Sequence, residues 1–131
     1  MLTSSATVCI VGFGETGRAA GCALAQRGHA VRAWDILLDD PARSETMRSR
    51  MIEALVEPAA SLASAVTGAK LVICAVDETS GADVRREVNA MLVAGQLLIS
   101  LDASSPATQL EALGFASDPA MRQASQRGEL P

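Results

Sequence analysis

The apolar positions of this chain come in short runs whose period changes along it. Thr7 to Val11 and Ala30 to Trp34 are two such runs, and Leu97 to Leu101 is the last. Leu71-Val72-Ile73-Cys74-Ala75-Val76 is apolar without alternation, as a strand covered on both faces is. Between these runs the spacing lengthens to that of helices. The pattern predicts helices from about Arg18 to Arg27, Pro41 to Ala54, Leu62 to Val66 and Gly81 to Leu92. A short third strand over Leu55 to Glu57 is expected to stop at Pro58, which suits a sheet edge. Asp40-Pro41 and Ser61 are natural helix openings, and Gly28, Gly68 and Gly95 are natural stops. Met47, Met51 and Leu55 recur by four, as do Val84, Val88 and Leu92, and both sets are expected to turn inward. Beyond Phe115 the pattern fades, apart from Asp118-Pro119, which can open one short helix.

Strands alternating with helices over short links predict an α/β fold: a parallel sheet with right-handed crossovers, helices on both faces and strand order 3-2-1-4-5. The first link is the informative one. Val8-Cys9-Ile10-Val11 runs straight into Gly12-Phe13-Gly14-Glu15-Thr16-Gly17, and an Ala-rich helix opens at once. In such a Gly-x-Gly-x-x-Gly turn Gly12 lets the chain leave the strand and Gly14 leaves room for a pyrophosphate. Gly17 lets the helix lie close to the sheet. The free N–H groups of the helix's first turn then face the phosphates. The second strand ends in Asp35, 18 residues beyond Gly17, where doubly wound folds place an acid for the ribose hydroxyls. Strand, glycine turn, helix and acid together predict a Rossmann-type dinucleotide-binding domain over residues 1–114. Residues 115–131 are left as a short helix or frayed tail. The fifth strand is expected to be an open edge and a route to a homo-oligomer.

Composition narrows the rest. With 131 residues, a net charge of −4 and no basic patch, the chain is one domain without a nucleic-acid surface. No apolar run is long enough for a membrane span and no signal peptide opens the chain, so the expected location is the cytoplasm. Cys9, Cys22 and Cys74 lack metal-ligand spacing and read as inert thiols. His29 reads as a solvated turn residue, and Asp77 and Glu78 as solvated partners of a helix dipole.

Several segments together resemble the N-terminal domain of the β-hydroxyacid dehydrogenase family, in the branch described as 6-phosphogluconate dehydrogenase, NAD-binding. They are Gly12 to Gly17, Arg27-Gly28-His29, Ala33-Trp34-Asp35, Asp40-Pro41, Gly68 to Ile73 and Asp102-x-Ser104-Ser105-Pro106. The resemblance covers about residues 6 to 108. It implies Gly12, Gly14 and Gly17 and the backbone of Phe13, Glu15 and Thr16 around the pyrophosphate; Asp35, which would accept from a 2′-OH and repel a 2′-phosphate, favours NAD over NADP as cofactor. The resemblance further implies Asp35 on the adenosine ribose and Val76 to Thr79 beside the nicotinamide-side ribose. Ser104 matches the family serine that helps hold substrate; as a residue it equally reads as a helix cap before Pro106. The family usually carries two more residues between that Asp and Pro. Its catalytic Lys and Asn lie further on, and the one Lys and one Asn here, Lys70 and Asn89, do not match them. The expectation is therefore a cofactor-binding half with no catalytic residue and no metal, inactive alone on any hydroxyacid. A non-catalytic nucleotide-sensing module is the alternative, and an S-adenosylmethionine methyltransferase a weaker third.

Overall fold

The computed structural model describes residues 7–76 and 81–101. Five parallel strands form one sheet: β1 (Thr7–Val11), β2 (Ala30–Trp34), β3 (Glu57–Pro58), β4 (Leu71–Cys74) and β5 (Leu97–Ser100), in the order β3-β2-β1-β4-β5. The α/β doubly wound reading holds. Four helices make the crossovers: α1 (Glu15–Gln26), α2 (Ser44–Glu53), α3 (Leu62–Val66) and α4 (Ala82–Met91).

Side chains on a strand alternate between faces. Ile10 faces α1, where a Cβ built on Gly17 would stand 3.2 Å from its Cγ2. The other face carries Cys9 and, opposite it in register, Arg32. The Arg32 guanidinium crosses to α3, donating from Nε to the Ala65 carbonyl at 2.8 Å and from Nη2 to that of Thr67. It thereby satisfies carbonyls at the end of a helix only five residues long. At the other end Ser61 and Ser64 close a capping box, each side chain accepting the other's backbone N–H at 3.0 and 3.1 Å. The Gln96 amide ties the approach to β5 to the same loop, donating to the Val66 and Ala69 carbonyls at 2.8 and 2.9 Å.

Cys9 and Cys74 lie buried in the two central strands. Burial pushes the Cys9 thiol up to about 12, against a smaller opposing pull from Arg32, and raises that of Cys74 as well. Cys22 is half-buried on α1.

Of the boundaries that differ from the sequence reading, three have a clear local cause. Helix α1 begins at Glu15 rather than Arg18, because the Arg18 N–H already reaches the Gly14 carbonyl at 2.9 Å. Helix α2 begins at Ser44 rather than Pro41. A 3-10 turn over Ile36–Asp39 comes first, and the Asp40 carboxylate accepts the Ala42 N–H at 2.9 Å, so the chain turns before it coils. The third strand is Glu57–Pro58, not Leu55 to Glu57. Leu55 sits instead at φ +64 in a Schellman turn, its N–H on the Ile52 carbonyl and that of Val56 on the Met51 carbonyl. Glycine usually takes that position; Leu55 takes it at a cost of about 1–2 kcal/mol and remains 70% exposed. Of the α4 residues expected inside, Val88 is fully buried, while Val84 and Leu92 are half-buried.

The two sheet edges are unlike. β3 is two residues long and contains Pro58, which blunts it. Among the described residues β5 pairs with β4 alone, and Leu97 is 48% exposed. The sequence reading of residues 102–131, including the possible helix at Asp118-Pro119, lies outside the described residues.

Candidate functional site

The strands' C-terminal ends carry the candidate site. Gly12 stands where β1 gives way to the loop, at φ +93, with its N–H donating to the Trp34 carbonyl at 2.8 Å. A Cβ there would lie 2.7 Å from Val76 Cγ1 and 2.9 Å from the Ala75 carbonyl oxygen, so the glycine lets the loop touch the end of β4. A Cβ on Gly17 would fall 1.9 Å from the Gly12 carbonyl oxygen. One on Gly21 would meet Val56 and Phe13 at 3.1 and 3.3 Å, which explains the small residue one turn on. Gly14 is different: among the described residues a Cβ there meets nothing within 4 Å.

Gly14 is also the N-cap of α1, and it has no side chain with which to cap that helix. A helix leaves the N–H groups of its first turn without intrahelical partners, and its dipole favours an anion there. Glu15, Thr16 and Gly17 supply those groups, above open space at Gly14. The cradle suits a diphosphate in both shape and charge.

Asp35 is half-buried at the end of β2. Its Oδ2 accepts the Phe13 N–H at 2.7 Å and its Oδ1 accepts the Leu37 N–H at 2.9 Å. The Phe13 amide is thus engaged within the protein, and its ring is fully buried in the core.

A cleft of about 340 Å³ joins these parts, lined by Gly12, Gly14, Trp34, Asp35, Ile36, Ala75, Val76, Gly81 and Val84. Gly12, Gly14, Asp35 and Val76, far apart in sequence, therefore meet at one place. Trp34, Ile36, Ala75, Gly81 and Val84 were not foreseen as site residues. Trp34 and Val84 read as core positions, and the only hint for Ile36 was its place next to the acid. Ile36 is 64% exposed, unusual for isoleucine and explained by its place on the cleft wall. The indole Nε1 of Trp34 is buried and has no hydrogen-bond partner among the described residues. Thr79 and Ser104, as well as Asp77, Glu78 and Asp102, lie outside the described residues. His29 and Lys70 are at the opposite, N-terminal edge of the sheet; burial lowers the His29 pKa. Among the described residues there is no group of three or more His, Cys, Asp or Glu able to hold a metal ion, and no helix long and apolar enough to cross a membrane.

Comparison with known proteins agrees with this geometry. Residues 7–118 match the model of the NAD binding domain of 6-phosphogluconate dehydrogenase. No curated protein matches the chain. Among solved structures it is similar to a conserved hypothetical protein from Sinorhizobium meliloti 1021, at 28% identity and TM-score 0.66, over 83% of this chain and 36% of that one. It is similar also to the 3-hydroxyisobutyrate dehydrogenase of Mycobacterium tuberculosis, solved with L-serine, at 26% identity and TM-score 0.61 over the same shares. A third is an NAD+-dependent 5-formyl-3-hydroxy-2-methylpyridine 4-carboxylic acid 5-dehydrogenase, at 27% identity and TM-score 0.58, over 72% of this chain and 36% of that one. The chain thus spans about a third of the length of each of these relatives.

Proposed function

Since the chain belongs to the family of NAD-binding domains of 6-phosphogluconate dehydrogenase, we propose that it holds NAD along the cleft at the C-terminal edge of the sheet, as the cofactor-binding part of a cytoplasmic oxidoreductase acting on β-hydroxyacids. The observation that carries this reading is the convergence of an uncapped helix start, an open Gly14 and a carboxylate at the end of β2 on one cleft. The first-turn N–H groups of α1 take the pyrophosphate. Asp35 accepts from the adenosine ribose, since each carboxylate oxygen keeps a second lone pair beyond its backbone bond. Ile36 and Val84 give the adenine apolar walls. Val76 and Thr79 border the nicotinamide-side ribose, and Ser104 helps hold the substrate. Bound NAD supplies the hydride chemistry; the protein supplies binding and orientation. This stretch contributes no catalytic residue, so on its own it is expected to bind the cofactor without oxidising a hydroxyacid.

Titration calorimetry with NAD, NADP and S-adenosylmethionine tests the reading. NAD is expected to bind, and NADP at least about tenfold more weakly, because the Asp35 carboxylate loses its hydroxyl partner and meets a phosphate instead. Trp34, the single tryptophan, lines the cleft, so NADH binding is also expected to quench its emission. Equal affinity for NAD and NADP would refute the role of Asp35, and binding of S-adenosylmethionine alone would refute the dinucleotide site.

A homodimer through β5 is the second part of the proposal. Among the described residues nothing pairs with its outer edge, and the strand has no proline or charge to blunt it. Light scattering of the purified chain at millimolar concentration is expected to give at least twice the monomer mass; a clean monomer would rule the contact out.

A further inference from the structure

We propose that Asp35 has a second task at the cofactor site: it positions the glycine loop that carries the diphosphate, independently of any contact with the ribose. This rests on the reading that the cleft takes NAD. The loop is tied to the end of β2 at two successive peptides. The Gly12 N–H donates to the Trp34 carbonyl at 2.8 Å, a bond any residue at position 34 would offer. The Phe13 N–H donates to Asp35 Oδ2 at 2.7 Å, and only a side-chain acceptor at position 35 supplies that one. The carboxylate is itself fixed, because its other oxygen accepts the Leu37 N–H at 2.9 Å and so cannot swing away with the loop.

The second tie falls at a sensitive place. The Phe13 ring is anchored in the core, and the next residue, Gly14, caps α1 with its carbonyl on the Arg18 N–H at 2.9 Å. The Phe13 peptide therefore sets how the first-turn N–H groups are presented. Without the carboxylate, a half-buried amide loses its acceptor and the loop loses one of its two links to β2.

Electrostatics makes this separable from ribose recognition. Asp35 is an anion beside a site for anions. If it acted only on the ribose, its removal would leave a ligand without ribose hydroxyls bound equally well, or more tightly through lost repulsion. A positioning role predicts the opposite sign.

The test compares NAD with an analogue carrying 2′,3′-dideoxyadenosine, titrated into the wild-type chain, Asp35→Ala and Asp35→Asn. Asp35→Ala is expected to weaken NAD about 100-fold and the analogue about 10-fold. Asp35→Asn, whose amide oxygen can accept only one of the two N–H groups well, should fall between. In the ligand-free chain, hydrogen exchange at the Phe13 amide should speed up in Asp35→Ala while Ile10 and Ile73 keep their protection. Unchanged or tighter analogue binding by Asp35→Ala would overturn the proposal. Should that variant fail to fold, the near-isosteric Asp35→Leu, which offers neither N–H an acceptor, decides, and analogue binding as tight as wild type overturns the proposal. Failure of the wild-type chain to bind NAD would instead refute the cofactor reading, and Phe13 exchange would still report on the loop.

Discussion

Gly17→Ala will lower the urea midpoint of the domain sharply. In an ordinary helix this change adds about 0.5–1 kcal/mol of stability, because alanine has less backbone entropy to lose. Here the new methyl falls 1.9 Å from the Gly12 carbonyl oxygen and 2.9 Å from its carbon. Both are backbone atoms, held by the Gly12 N–H bond to Trp34, so neither can rotate aside. Helix α1 must lift from β1 and take buried Ala20, Gly21 and Leu24 with it. We expect a net loss of about 3 kcal/mol, at the upper end of what overpacking costs. Urea unfolding followed by circular dichroism measures it. A midpoint within error of wild type would mean that the contact between helix and loop has slack.

Gly14→Val will do the reverse, leaving the fold and removing the ligand. The position is exposed, its φ of −77 is open to any residue, and an added Cβ meets no described residue within 4 Å. Stability should stay within about 1 kcal/mol, the size of an N-cap effect. The isopropyl group would occupy the space above the first turn of α1, where the diphosphate is proposed to sit. Loss of that contact set should reduce NAD affinity more than about 100-fold, since several charge-assisted hydrogen bonds go at once. Calorimetry and circular dichroism on the same sample separate the two effects. NAD binding that survives the substitution would place the diphosphate elsewhere.

The contrast between these glycines marks how far the sequence could be read. That Gly12, Gly14 and Gly17 form a turn between strand and helix was legible from their spacing and flanks. The particular partner of each was not, because Val76 and Ala75 reach Gly12 only once β4 lies beside β1. The central strands were legible because Leu71 to Cys74 is apolar without alternation, which only a strand covered on both faces tolerates. The start of α2 was misread because Asp40-Pro41 looks like a helix opening while the chain uses Asp40 to make a turn. The third strand was misread because a Schellman turn normally announces itself with glycine, and here the residue is Leu55. The acid at position 35 was foreseen for the ribose. Its bonds to Phe13 and Leu37 were not, since they depend on how closely the loop approaches β2. Trp34 and Val84 escaped notice because an apolar residue on a cleft wall has the same sequence signature as one in the core.

The two thiols buried in β1 and β4 turn the core into its own clock. A thiol reagent needs a thiolate and a path, and Cys9 and Cys74 offer neither while their strands stay paired. Cys22, half-exposed on α1, should be labelled first, and the other two only when the central sheet opens. Mass spectrometry of a labelling time course would then show one sulfur modified early and two late. The late rate counts how often β1 and β4 part, and NAD should slow it in proportion to how tightly it holds the native chain.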